Sequence, residues 1–355
     1  MRRLLLLAGA FCFVLAGSSF AFHDEGVAHC NGCHTMHNSE NGTLVDPDSP
    51  NGNPWLLKDA TPSDVCLGCH AANGGTGHLG NVLSDDPLAP DPEKGGGNFV
   101  FLLEDNLNDG HNGALNPIGG DAAGHNLNAP GYGLAPDATL SSSPGGNFPA
   151  SQLGCSSCHD PHGNTNFRLL HGAGDDVQDG LYTFTNPAPD AEGISIFFGS
   201  EANDNHTAYR GGMSAWCGNC HGNFHANNTQ LVHPSGVAMG AEHSTIYNLY
   251  NGTADQTGGT QATAYLAMVP FEDPANTTTS TAGPSATSQV SCITCHRAHA
   301  SSAPNSGRWD FNVTFLSEDG VESGSYAIPD PYNDVNQRSL CNKCHNQDKG
   351  DGMPN

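Results

Sequence analysis

The chain has 355 residues, of which 36 are acidic and 11 basic, giving a formal net charge of −25. That balance argues against polyanionic partners, so neither nucleic acid nor an anionic membrane surface is expected. Apolar residues make up 36%, while glycine and proline number 45 and 23; side chains alone offer little for a large core.

Residues 1–21 read as a signal peptide. Arg2 and Arg3 precede an apolar run over 4–16, and Ser19-Phe20-Ala21 supplies a small-x-small cleavage site. The run is too short to cross a membrane, so no membrane span is expected. Cleavage removes Cys12 and leaves nine basic side chains against 36 acidic ones. Residues 22–355 are expected to form a single domain.

The remaining twelve cysteines fall in six copies of Cys-x-x-Cys-His. In chain order these are Cys30/Cys33/His34, Cys66/Cys69/His70, Cys155/Cys158/His159, Cys217/Cys220/His221, Cys292/Cys295/His296 and Cys341/Cys344/His345. Two thiols at this spacing add across the two vinyl groups of one haem, and the adjacent histidine reaches its iron. A disulfide framework gives no reason for a histidine after every second cysteine. Adjacent Cys and His, six times over, make poor tetrahedral zinc sets. Six covalently attached haem c groups are therefore expected, with the motif histidines as proximal ligands. Their apolar plates would supply the missing core. The fold class expected is mostly irregular chain with short helices, a haem-stack core and very little sheet.

Motif starts are 36, 89, 62, 75 and 49 residues apart, so no solenoid of fixed repeat length is expected. The gap over 70–154 is rich in Gly, Asn, Asp and Pro, especially 85–97 and 114–143, and reads as long loop. Short helices are predicted over 244–251 and 261–269. Residues 277–287, rich in Thr, Ala and Ser, read as surface loop.

Thirteen further histidines are available for the second ligand of each iron, and methionine is scarce, so bis-histidine ligation is expected. Cys-His-x-x-His recurs at His34/His37, His159/His162 and His296/His299, with a looser His221/His225. Two imidazoles three residues apart lie on one side of a turn. They cannot reach one iron from opposite faces, so the second of each pair must serve a different haem. The distal candidates are His37, His162 and His299, then His78, His125, His225 and His233, then His23. His29, His111, His171, His206 and His243 read instead as surface or hydrogen-bonding side chains.

Several stretches resemble the OmcS-type hexahaem cytochromes of metal-reducing bacteria. They include Phe22-His23, Gly26-Val27-Ala28-His29, Thr35-Met36-His37-Asn38, Asp160-Pro161-His162-Gly163 and Gly212-Met213-Ser214. Trp216-Cys217, His233-Pro234, Gly259-Thr260-Gln261-Ala262, Ala264-Tyr265-Leu266 and Arg297-Ala298-His299-Ala300 continue the likeness. The resemblance implies a subunit that polymerises into extracellular filaments, with bis-histidine haems in one continuous stack. It implies that His37 crosses the subunit boundary to the haem held by Cys292, Cys295 and His296 of a neighbour. His23, His78, His125, His162, His225, His233 and His299 match histidines of that family, whereas His111, His206 and His243 do not.

The function expected is electron transfer along a polymeric filament to external acceptors, such as metal oxides or other redox partners. The alternative is a monomeric periplasmic electron shuttle. A reductase is disfavoured, because every motif ends in histidine and distal candidates abound. An exported, outer-surface location follows from the signal peptide and the resemblance.

Overall fold

The structure is a computed structural model that describes residues 30–72, 80–85, 95–103, 122–177, 180–194, 201–227, 235–252, 258–316, 331–332 and 337–346. The signal segment 1–21, His23, His29, His78, His111, His233 and the side chain of His225 lie outside the described residues. Most of the chain is irregular, as expected. Five short α-helices stand out: α1 (Pro62–His70), α2 (Met213–Cys217), α3 (Gly222–Asn227), α4 (Gly240–Leu249) and α5 (Cys292–Cys295). Among the described residues, sheet is confined to four antiparallel pairs: β1 (Ser39–Glu40) with β2 (Thr43–Leu44), β3 (Asp176–Val177) with β4 (Tyr182–Thr183), β5 (Asp190–Glu192) with β6 (Ala208–Gly211), and β7 (Val237–Ala238) with β8 (Gln289–Val290). Among the described residues no helix is long and apolar enough to cross a membrane.

Local chemistry sets the helix ends. The Thr61 hydroxyl accepts from Asp64 N at 3.1 Å, and Pro62 fills the first turn of α1, where a missing N–H costs nothing. A Ser291 cap and the Thr294 hydroxyl, which accepts from Ser291 N at 3.1 Å, frame α5. The buried apolar residues do not form one core. They fall into four clusters, around Leu67/Phe99/Leu127, Tyr247/Phe271/Trp309, Phe148/Phe184 and Tyr209/Met213/Ile293. Motif cysteines pack against each of them: Cys155, Cys295 with Cys341 and Cys344, Cys220, and Cys217.

Two expectations need correction. The helix over 261–269 stops after one 3₁₀ turn, Gln261–Thr263. Beyond it Tyr265 N donates to Thr281 O and Leu266 N to the Tyr247 hydroxyl, so tertiary partners replace the helical ones. The stretch read as long loop is irregular, yet its described parts bury Phe99, Val100, Phe101, Ala123, Leu127, Leu134 and Phe148. The helix predicted over 244–251 forms as α4, starting four residues earlier.

Candidate functional site

Each Cys-x-x-Cys-His motif closes a single helical turn. The histidine N–H donates to the carbonyl of the first cysteine in His34 (2.9 Å) and in His159, His221, His296 and His345 (3.0 Å each). In the second motif the turn is the end of α1. One turn places residues i, i+3 and i+4 on one side, so both sulfurs and the imidazole face the same space.

The proximal rings are oriented by backbone. The Nδ1 of His34 faces Trp55 O at 2.9 Å, His70 faces Gly80 O at 3.2 Å, and His159 faces Arg168 O at 2.8 Å. His221 faces Pro144 O at 2.7 Å and His296 faces Asn305 O at 2.9 Å. A carbonyl only accepts, so Nδ1 carries the proton and Nε2 is left with a lone pair for metal. His125 has the same signature, with Nδ1 on Ala298 O at 2.7 Å.

Three pairs of imidazoles lie at nearly one spacing. The ring centres of His34 and His162 are 6.5 Å apart, those of His159 and His299 are 6.5 Å apart, and those of His125 and His221 are 6.0 Å apart. Metal–imidazole bonds of about 2 Å on opposite sides of one ion put the ring centres about 6.4 Å apart. The residues present therefore fit an iron held between two histidines. Desolvation holds His125 and His159 below the usual histidine range, and it brings His299 down to about 3, with repulsion from His159 and His125 adding to it. These rings are neutral at physiological pH, the form that ligates metal.

The first, third and fifth motifs share a further architecture. After each comes a pair of left-handed residues: Trp55/Leu56 (φ 52°, 58°), Arg168/Leu169 (49°, 58°) and Asn305/Ser306 (57°, 57°). The first carbonyl of each pair is the one that accepts the proximal Nδ1. The second accepts from Thr35 N, Asp160 N and Arg297 N. Two residues on, Lys58 N, His171 N and Arg308 N donate back to Cys33 O, Cys158 O and Cys295 O. These are also the motifs followed by a second histidine. Motif lengths hide this threefold module, but a short signal marks it: Trp55-Leu56-Leu57-Lys58 and Arg168-Leu169-Leu170-His171, weakened to Asn305-Ser306-Gly307-Arg308.

The motifs also run through space in sequence order. Cys33 lies in electrostatic reach of Cys69, and Cys158 of Cys220. Cys66 bonds Cys155, and Cys217 bonds Cys292; in each pair the donor thiol is pushed up and the acceptor down. Cys295 lies within reach of Cys341 and Cys344. Burial pushes Cys158 and Cys344 up to about 12 and Cys220 up to about 11. Two of these junctions repeat one device: Ser63 Oγ accepts from Cys155 N at 3.1 Å, and Ser214 Oγ accepts from Cys292 N at 3.2 Å. Backbone approach matters at His125, where a Cβ on the preceding Gly124 would sit 2.2 Å from His299 O.

The other histidines divide plainly. His206 is buried with Nδ1 on Thr207 O and Nε2 on Ser280 O, and His171 has Nε2 on Ser156 O. His243 places Nδ1 on Cys344 O and packs edge-on to His345, with ring centres 5.0 Å apart. His296 packs edge-on to Phe311, and His37 is exposed. Among the described residues of this chain, no imidazole ring stacks with either.

A model of the doubled CXXCH motif family matches residues 23–75 and 148–177. The C-type cytochrome OmcS of Geobacter sulfurreducens is 35% identical over 434 aligned positions, covering 98% of this chain and 99% of that protein. The cryo-EM structure of OmcS nanowires from that organism superposes with a TM-score of 0.76 at 32% identity, covering 92% of this chain and all of the other. A second structure, the outer membrane cytochrome S filament from Geobacter sulfurreducens, gives a TM-score of 0.77 at 31% identity with the same coverage. The attachment turns, the facing imidazoles and these likenesses agree: the chain belongs to the OmcS family of multihaem c-type cytochromes, and its haems are covalently bound.

Proposed function

We propose that this chain is the subunit of an extracellular filament that carries electrons along six haems to external acceptors. The observation that carries the reading is the order of the histidines. His162, in the third motif, faces His34 of the first; His299, in the fifth, faces His159 of the third. Each second histidine reaches back one module. His37 and His296 are the two left without a facing imidazole among the described residues. The rule closes only when His37 of one chain meets His296 of the next. The filaments formed by OmcS support the same reading.

On this reading the ligand pairs are His34/His162, His159/His299, His221/His125 and His296/His37 of a second copy. The partners of His70 and His345 come from His23, His78, His225, His233 and His243. The six cysteine pairs fix the cofactors so that none is lost outside the cell. The carbonyls on Nδ1 hold each ring in the tautomer that ligates. When bound, each haem supplies a one-electron iron couple, and two imidazoles keep it at lower potential than a methionine ligand would. Residues 22–355 act as one unit, 1–21 direct export, and no bond chemistry is performed.

The test is His37→Ala. The variant should be secreted with its full haem complement, elute as a monomer and form no filaments under negative-stain imaging. Long filaments from this variant would overturn the reading. So would a parent protein that stays monomeric, the behaviour of a soluble shuttle.

A further inference from the structure

We propose that residues 38–53 form a rigid bracket that presets His37 for its bond to a second copy of this chain, with Asn38 as the positioning residue. The inference rests on the reading of His37 given above and adds to it how the ligand is aimed.

The first module differs from the other two in one respect. The chain takes 21 residues to pass from His34 to the carbonyl that orients it, against nine from His159 and nine from His296. The longer excursion belongs to the one module whose second histidine meets no imidazole ring among the described residues. It is not slack. Asn38 is buried and left-handed, with φ 45°, a conformation that asparagine tolerates better than most residues. Its Nδ2 donates to Asp46 O at 2.9 Å and to Ser49 O at 2.6 Å; its Oδ1 accepts from Asp46 N at 2.8 Å. Val45 N donates to Asn38 O at 3.1 Å.

The far side of the bracket is tied as well. The β1–β2 hairpin turns on Asn41-Gly42, both left-handed, which suits a two-residue turn. The Asp46 carboxylate accepts from Asp48 N, Ser49 N and Asn53 Nδ2. Asn53 precedes the turn Pro54–Leu56, whose Trp55 carbonyl orients His34. One continuous set of bonds thus joins the proximal ring of the first motif to the residue after His37. In the inner modules the second histidine is steadied differently: His162 N donates to Asp160 Oδ1, and His299 N to Gly96 O. Those two already meet a ring of their own chain. His37 has to find its partner by collision, and fixing its backbone beforehand removes ordering cost from that encounter.

The test compares Asn38→Gly, Asp46→Ala and His37→Ala with the parent as full-length, haem-loaded protein. Glycine keeps the left-handed backbone and deletes the three side-chain bonds. We expect Asn38→Gly to keep its haem count, with an unfolding midpoint lowered by the three lost bonds, while raising the critical concentration for filament assembly tenfold or more. Where the parent is filamentous, the variant should show one high-spin haem per chain, from a His296 iron without its second imidazole. Asp46→Ala should move the same way. Parent-like assembly of Asn38→Gly, with His37→Ala unable to assemble, overturns the bracket and leaves the ligand reading intact. Loss of haem attachment in both bracket variants also overturns it, since the segment would then hold up the subunit rather than aim His37. Filaments from His37→Ala overturn the ligand reading itself.

Discussion

His206 holds both ring nitrogens against backbone carbonyls, at 3.0 and 2.8 Å, and stacks on Tyr265 with ring centres 3.7 Å apart. His299 instead turns its ring toward His159 across the gap that fits an iron. The two side chains should fail differently when cut to alanine. His206→Ala loses the one buried hydrogen bond that a neutral imidazole can donate and a stacked contact, a cost of about 1–3 kcal/mol in denaturant unfolding, while every haem stays low-spin. His299→Ala should leave one high-spin haem per chain in the visible and electron-paramagnetic spectra. High-spin signal from His206→Ala, or none from His299→Ala, would contradict these assignments. The sequence makes His162 and His299 legible, because rings three residues apart cannot straddle one iron. It hides the part played by His206, because the Ser280 carbonyl that occupies it is 74 residues away.

Short elements here owe their form to distant partners more than to local propensity. The Asx-rich loop that contains Asp46 is an exception, and it gives a pH signature. Asn53 Nδ2, with the Asp48 and Ser49 donors, holds the Asp46 carboxyl below its ordinary value of 3.8. A carboxyl lowered by folding stabilises the fold above its unfolded value, and that contribution is lost as pH falls through the folded one. Protection of the amides across residues 38–53, relative to their intrinsic exchange, should therefore stay high near pH 5 and fall below about 3.8. The turn after the fifth motif, 296–309, which contains no carboxylate, serves as the control, and in Asp46→Asn the step should vanish. Equal protection across the range would show that the carboxylate does not hold the bracket. The predicted helix over 261–269 does not form, for the opposite reason. Tyr265 and Leu266 spend their N–H groups on Thr281 O and the Tyr247 hydroxyl, partners that no local pattern reveals. The described parts of the stretch over 70–154 likewise show no period, because they bury Phe99, Leu127 and Phe148 from irregular chain.

At the scale of the whole molecule, the threefold module escaped the sequence because one copy carries a longer excursion and the third has lost its Leu-Leu pair. The order of the attachment turns was equally hidden, since it is written in Ser63 and Ser214 contacts 92 and 78 residues long. Charge, by contrast, was plain from the start, and it bears on assembly. Among the 11 basic residues, Arg297, Arg308 and Lys343 are buried beside the fifth and sixth motifs. Asp46, Asp64, Glu272 and Asp310 are buried as well, so the outer surface keeps nearly all of the net charge of −25. Lys58 pairs with Glu40, and Arg210 with Asp190 and Glu192; with 11 basic residues against 36 acidic ones, ion pairs cannot offset it. Joining two such subunits works against repulsion, while a metal–imidazole bond is indifferent to salt. Raising ionic strength from about 0.01 M to 0.15 M shortens the screening length from roughly 30 to 8 Å. The critical concentration for assembly should then fall, and filaments should shed subunits on dilution into low salt. Were the junction held chiefly by ion pairs between chains, salt would act the other way, so sedimentation across a salt series separates a ligand-held junction from a charge-held one.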